Sequence, residues 1–251
     1  MTHLQTLNAA LQERRLLKVI AGIENFDLDA VVSIAKAAQA GGAEAVDIAA
    51  DTALIKAVKE ATNLIVFVSS TEPAKLIEAA ANGADVLELG NFDALYHQGI
   101  HPTKAQIIEW TRAVKDAVGT AVPLCVTVSG HLSIEDQLDL ATTLQAMGVD
   151  ILQTEGQVGP QTGDTFSALS GAVSALANTA EIRKVVELPL LLAGGFTHVT
   201  APFAIAAGAD ALGVGKAVAG LKDEAAMAEA TARLVGAIEG VHTMGKGLTR
   251  A

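Results

Sequence analysis

The sequence predicts an α/β chain closed into a single (β/α)8 barrel, and three observations predict it. One phrase recurs four times: Gly-Ala-Glu-Ala-Val-Asp from Gly42 to Asp47, Gly-Ala-Asp-Val-Leu-Glu from Gly83 to Glu88, Gly-Val-Asp-Ile-Leu-Gln from Gly148 to Gln153, and Gly-Ala-Asp-Ala-Leu-Gly from Gly208 to Gly213. Each copy follows an Ala-rich helical stretch and leads into a short apolar strand, and its glycine ends the helix in a left-handed turn where a Cβ would clash. Apolar strands also alternate with amphipathic helical stretches throughout, with no linker or shift of composition. Finally, 251 residues is a usual length for one such barrel and long enough to bury a large core.

Strand one spans 17–23 and its helix 28–40. Strand two is 45–49, and strand three, 64–69, is followed by a helix opened by Pro73, whose fixed φ suits a first turn. Strand four is 86–89, strand five is 124–129 after Pro123, and strand six is 151–154. Strand seven is 190–193 after Pro189, and strand eight is 211–214. Eight strands that are each followed by a helix favour a closed parallel TIM barrel over an open sheet. Even strands follow Gly-(Ala/Val)-(Asp/Glu), whereas strands three, five and seven follow Asn-Leu, Val-Pro and Leu-Pro, a two-unit rhythm that suggests duplicated βαβα quarters. Residues 1–15 read as a polar helical extension, 16–240 as the barrel, and 241–251 as a polar, Gly-containing tail that frays.

The composition narrows the partners. Aromatics make up only 3% of the chain, with Ala and Gly prominent, which suits close packing of helices on strands. A formal net charge of −11 opposes a nucleic-acid partner, whose phosphates need a basic surface, but leaves room for a small anion bound by local backbone N–H groups. The single cysteine, Cys125, excludes a disulfide framework and fits a reducing compartment. No apolar run is long enough to cross a bilayer, and 1–15 lacks the apolar core of a signal peptide, so the expected setting is cytosol or the organelle interior in which the protein is made, with no membrane partner. A homo-oligomer is left open.

Strand seven ends Ala193-Gly194-Gly195-Phe196, and strand eight ends Gly213-Val214-Gly215-Lys216-Ala217, with a short helix expected near Ala217. Barrels that bind phosphorylated ligands hold the phosphate between these two loops and the N-terminus of a short helix. Gly194, Gly195 and Gly215 would let backbone N–H groups touch the phosphate oxygens, and Lys216 would add a cation. The plain alternative is that these glycines only allow tight turns.

Strand side chains alternate in and out. Counting five residues from each repeat glycine reaches Asp47, Glu88, Gln153 and Gly213, and counting seven reaches Ala49, Gly90, Glu155 and Gly215. If the second set faces the mouth, Asp47, Glu88, Gln153 and Glu155 all point into the barrel. Carboxylates there are costly unless paired or functional, and one whose pKa is raised by burial can act as a general acid or base. Lys18 would pair with one of these acids or, less in keeping with its place near the bottom of strand one, attack a carbonyl. Asp47 and Glu88 could equally be structural partners of Lys18. Thr127 is a polar residue in an apolar run, His131 sits at the mouth, His97 and His101 share the loop after strand four, and Cys125 reads as a small core residue. Asp27 and Asp93, in the repeated triplets Asn25-Phe26-Asp27 and Asn91-Phe92-Asp93, read as helix N-caps. Two strand-to-helix loops are long. They are 90–103, and the Gly-rich 155–166, which contains Gly156, Gly159, Pro160 and Gly163 and reads as a lid or as an ordinary flexible loop.

Taken together, Lys18-Val19-Ile20-Ala21-Gly22 with Asn25-Phe26-Asp27, Val46-Asp47-Ile48-Ala49-Ala50, Gly90-Asn91-Phe92-Asp93, Gln153-Thr154-Glu155-Gly156 and Gly213-Val214-Gly215 resemble the hypothetical chloroplast reading frame (ycf) family of uncharacterised proteins in cyanobacteria and algal plastids. The resemblance covers 16–235. It implies an aldolase-type barrel and a cyanobacterial cytosol or plastid stroma, and it supplies no reaction.

Three functions follow as expectations. The leading one is a lyase or isomerase acting on a small phosphorylated metabolite. Gly194, Gly195, Gly215 and Lys216 would hold the phosphate, and Asp47, Glu88 or Glu155 would move protons. No cofactor is predicted for it. The second is an FMN-dependent oxidoreductase, with the same grip on the FMN phosphate and Gln153 at the ring, although no other strand-end Lys or Arg is evident for the flavin's electron-rich edge. The third is a non-catalytic sensor of a phosphorylated metabolite, which needs the grip but no acid cluster.

Overall fold

The computed structural model describes residues 1–157 and 165–248. Its strands are β1 (Leu16–Gly22), β2 (Ala45–Ala49), β3 (Ile65–Ser70), β4 (Val86–Leu89), β5 (Leu124–Val128), β6 (Ile151–Thr154), β7 (Leu190–Ala193) and β8 (Ala211–Val214). They pair in sequence order, all parallel, and β8 returns to β1 to close the barrel. The helices that follow successive strands are α2 (Leu28–Ala40), α3 (Thr52–Ala61), α4 (Pro73–Ala81), α5 (Asp93–Tyr96) with α6 (Lys104–Val118), α7 (Ile134–Ala146), α8 (Thr165–Ile182), α9 (Ala201–Ala206), and α10 (Lys216–Ala219) with α11 (Glu224–Leu248). No helix among the described residues is long and apolar enough to cross a membrane.

The outward strand faces and the inner helix faces make one apolar layer, which includes Val19, Val46, Val66, Leu87, Val126, Leu152, Leu192 and Leu212. The inward faces make a second cluster, in which Leu16, Ala45, Ile65, Val86, Cys125, Ile151, Leu191 and Ala211 meet Leu7, Ala10 and Leu11 of the N-terminal helix α1 (His3–Gln12). Helix α1 therefore plugs the bottom of the barrel. Its spacing of apolar residues at positions 7, 10 and 11 is the helical signal for that buried face. At the other end of the chain, α11 continues past Gly240, the last residue assigned to the barrel from sequence, to Leu248.

The two-unit rhythm has a physical basis. All four repeat glycines adopt positive φ, between 75° at Gly148 and 108° at Gly208. The acid two residues later accepts a hydrogen bond from an N–H at the start of the preceding odd strand. Glu44 takes Leu17 N–H at 3.0 Å, Asp85 takes Val66 N–H at 3.0 Å, Asp150 takes Leu124 N–H at 2.9 Å, and Asp210 takes Leu190 N–H at 2.9 Å. Arg15 backs Glu44, Lys59 backs Asp85 at 2.8 Å, and Arg183 backs Asp210 at 3.0 Å. The acids of the repeat thus satisfy backbone donors at the lower rim, where the ladder has no residue left to pair them.

Asp85→Ala leaves the Val66 N–H unpaired and leaves Lys59 only the Gly83 carbonyl. The expected loss is about 1–3 kcal/mol, read as a lower urea midpoint. Asp85→Asn keeps an acceptor and loses less. An unchanged midpoint in the Ala variant would remove this role.

Candidate functional site

The site begins with a lysine inside the barrel. Lys18, on β1, is fully buried. Its ammonium donates to Glu88 Oε2 of β4 and, at 3.0 Å, to Gln153 Oε1 of β6, and it lies 3.6 Å from Asp47 Oδ2 of β2. The strands β1, β4 and β6 are not neighbours in the sheet, so these side chains can meet only across the barrel interior. The Lys18 ammonium also lies over the Phe67 ring, 5.0 Å from its centre, a cation–π contact.

Polar partners extend this ion pair into a continuous network. Gln153 Nε2 donates to Thr127 Oγ1 at 3.0 Å and to Asn91 Oδ1 at 3.4 Å. Asn91 Nδ2 donates to Asp47 Oδ2 at 2.9 Å, and Ser69 donates to Asp47 Oδ1. Asn91 reaches both neighbours from a left-handed backbone (φ 56°), which Asn tolerates better than most residues. Gly90, just before it, leaves its space to Thr127, whose Oγ1 would lie 1.9 Å from an added Cβ. Burial alone would lower the Lys18 pKa, but the charges of Asp47 and Glu88 outweigh it and hold the ammonium above its ordinary value. Burial pushes Glu88 up, against the pull of Lys18, and burial also pushes up the Cys125 thiol opposite Glu88. The geometry around Lys18 is that of an ion pair, and a protonated amine has no lone pair with which to attack a carbonyl.

A second cluster lies above this floor, at the mouth. Glu155 directly follows β6 and is 8% exposed. Its Oε1 accepts from Tyr96 Oη at 2.5 Å and from Gly130 N–H at 3.1 Å. The Tyr96 hydroxyl also meets Ser129 Oγ at 2.6 Å. The Tyr96 ring packs against His131 (ring centroids 4.2 Å apart) and His101 (5.3 Å), and the two histidines are 4.6 Å apart. Burial raises the Glu155 pKa to about 7, even though the Tyr96 and Gly130 donors pull it down. Burial beside the Glu155 charge raises the Tyr96 pKa, so the phenol stays protonated.

The two glycine loops share one stretch of rim. Ala193 and Gly213 are ladder partners, so the loops after β7 and β8 emerge side by side. Gly194 and Gly195 have φ of 143° and 67°, and Gly215 caps α10, which begins at Lys216, one residue before the expected start. A Cβ on Gly194 would lie 3.9 Å from Gly156 N, so the β7 loop abuts the residue after Glu155. Lys216 is exposed beside it.

Lys18, Asp47, Glu88 and Gln153 form one cluster, Glu155 stands in a second one above it, and Gly194, Gly195, Gly215 and Lys216 stand at the rim. Thr127 faces inward. Asp27 caps α2 by accepting from Ala30 N–H at 3.1 Å. Asp93 does not cap: it is the first residue of α5, and Phe92 holds the cap position without a side-chain bond. The paired triplets therefore diverge. Asn25 closes a turn, accepting from Asp27 N–H at 3.2 Å, whereas Asn91 turns into the barrel. Tyr96, Ser69 and Ser129 went unnoticed in the sequence, although parity with Glu88-paired strands was a usable signal for both serines. Gly159, Pro160 and Gly163 of the long loop lie outside the described residues.

Residues 1–244 match the family described as "Protein of unknown function (DUF561)", and the chain belongs to this family. The uncharacterized protein ycf23 of Cyanophora paradoxa is 34% identical over 213 residues, covering 84% of this chain and 87% of the relative. Its counterpart in Antithamnion sp. is 31% identical over 226 residues, covering 86% and 81%. The resemblance carried by the sequence motifs is thus borne out. Among solved structures, the chain is similar to 3-hexulose-6-phosphate synthase (TM-score 0.63, 21% identity, 88% of this chain and 99% of that one). It is similar to thiamine phosphate pyrophosphorylase from Pyrococcus furiosus (0.61, 21%, 92% and 98%). It is also similar to (S)-3-O-geranylgeranylglyceryl phosphate synthase from Thermoplasma acidophilum in complex with sn-glycerol-1-phosphate (0.63, 16%, 96% and 100%). At these identities the likeness is one of fold, the aldolase-type TIM barrel.

Glu155 links this site to stability. Its pKa is raised in the folded chain, so the neutral acid is the form that the fold favours. The stability it contributes is complete below the ordinary carboxylate range and is lost as pH rises through about 7. Glu155→Gln keeps an acceptor for Tyr96 and does not ionise. The variant should match the wild type in urea unfolding near pH 4 and exceed it near pH 8, by a margin on the order of 3 kcal/mol. An equal difference at both pH values would show that Glu155 does not titrate in this range.

Proposed function

We propose that this family member is a lyase or isomerase that acts by acid–base chemistry on a small phosphorylated metabolite at the barrel mouth, in the cytosol or the plastid stroma. One observation carries the reading. Glu155, at the C-terminal end of a barrel strand, is a buried carboxyl with its pKa brought to about 7, so it can take and return a proton at neutral pH. Asp47 and Glu88 are tied to Lys18 below it, and with Gln153 they form a buried polar floor beneath the mouth.

The phosphate end belongs at the adjacent loops after β7 and β8, the usual phosphate grip of such barrels. Backbone N–H groups at Gly194, Gly195 and Gly215 would face the oxygens, with Lys216 as counter-charge. The Gly194 backbone lies close to Gly156, so this grip would stand beside Glu155. Phosphorylated compounds named for similar folds (hexulose phosphate, glycerol phosphate, thiamine phosphate) support the ligand class by fold-level analogy. In the proposed step, the Glu155 carboxylate takes a proton from the carbon next to a carbonyl. The electron pair of the C–H bond passes into the carbonyl to form an enolate, and the neutral acid then returns the proton to carbon.

The test is a panel of phosphorylated aldoses, ketoses and polyols incubated with the protein in deuterated water. At least one carbonyl compound should gain carbon-bound deuterium with the wild type and none with Glu155→Gln. Ligand binding without deuterium uptake in the wild type would return the chain to the role of a binding protein. In the same panel, Lys216→Glu should weaken binding of the exchanging compound by about tenfold or more, since charge-assisted hydrogen bonds to phosphate contribute about 1.5–3 kcal/mol. Unchanged affinity would move the phosphate elsewhere.

A further inference from the structure

We infer that Tyr96 is the positioning residue of this site: with Gly130 N–H it pins Glu155 through Oε1, so that the proton is carried on Oε2. The inference rests on reading Glu155 as the proton-transfer group. Two donors among the described residues converge on Oε1, Tyr96 Oη at 2.5 Å and Gly130 N–H at 3.1 Å. An oxygen that already accepts two hydrogen bonds is the poorer base of a carboxylate, so the proton arrives at the other one. Two donors from different elements, α5 and the loop after β5, also fix the carboxyl plane, which is what a proton transfer to a defined carbon requires.

Tyr96 is itself held. Its hydroxyl is shared with Ser129 Oγ at 2.6 Å, and its ring is packed on His131 and His101. The groups that act on Glu155 are Tyr96 and Asp93 of α5, the Gly130 N–H, and the Glu88 carboxyl from the floor. His101 and His131 pack on the Tyr96 ring. Asp93 and Glu88 disfavour the anion, so Tyr96 and Gly130 are the groups that favour it. Removal of the phenol should therefore push the titration of Glu155 upward, and a merely structural role for Tyr96 would leave it in place.

The chain offers its own probe, because Tyr96 is the sole tyrosine and the sole tryptophan, Trp110, packs on Phe92 instead. A near-ultraviolet titration of the wild type should shift the tyrosine band with one midpoint at about pH 7, as the acceptor passes from neutral acid to anion. In Glu155→Gln the band should stay flat. In Tyr96→Phe, the Glu155 carboxyl signal in 13C NMR, assigned by its loss in Glu155→Gln, should titrate about half a unit to one unit higher. A flat tyrosine band in the wild type while the Glu155 signal titrates, or an unmoved midpoint in Tyr96→Phe, overturns the inference. The wild type and Glu155→Gln decide the matter by themselves if Tyr96→Phe does not fold. These spectra need no substrate. If both linked titrations appear and no deuterium is taken up from any metabolite, the positioning of Glu155 holds and the proposed reaction fails.

Discussion

The ammonium of Lys18, buried at the centre of a closed barrel, is the interaction on which the rest of the interior depends. A lone buried cation costs several kcal/mol, so the space around it must supply both charge and hydrogen-bond acceptors. Glu88 and Asp47 supply the charge, and Gln153 supplies a further acceptor. Each of these partners brings needs of its own. The amide of Gln153 is met by Thr127 and Asn91, and the oxygens of Asp47 are met by Ser69 and Asn91. Six strands and one loop are thus tied together by a single charge. The left-handed backbone at Asn91 is the local cost of closing this network from above.

This arrangement separates two kinds of acid that the sequence presents alike. Asp47 and Glu88 are paired with Lys18 and buried. Glu155 lies one layer higher, where burial outweighs the Tyr96 and Gly130 donors and brings its ionisation near neutrality rather than into the acid range. Two layers of inward side chains, one paired and one poised, are a direct outcome of strand alternation: Gln153 and Glu155 share a face of β6 and its extension, two residues apart.

Much of the fold was legible because its punctuation is local. A glycine that needs positive φ announces itself, and the four copies set the ends of β2, β4, β6 and β8 to the residue. The odd strands, which lack that mark, came out one residue off at β1, β3 and β5, while β7, marked by Pro189, did not. Parity from the repeat glycine also carried Asp47, Glu88, Gln153 and Glu155 into the interior. What sequence could not give was contact across the barrel. Nothing local to Tyr96 says that a four-residue helix will swing its hydroxyl to a carboxyl 59 positions away. Nor does the triplet Asn-Phe-Asp say that its second copy, unlike its first, will leave the capping position for the barrel floor. The acids of the repeat were visible as residues, but their hydrogen bonds to the odd strands required knowing which strand lies beside which.

The apolar face of α1, set by Leu7, Ala10 and Leu11 against the inner ends of the strands, closes the lower end of the barrel. For the proposed reaction, entry and exit would then share the upper face, past Tyr96, His131 and the glycine rim. Product would have to leave before the next substrate could follow, and any hand-over to another protein would take place at the face that received the substrate.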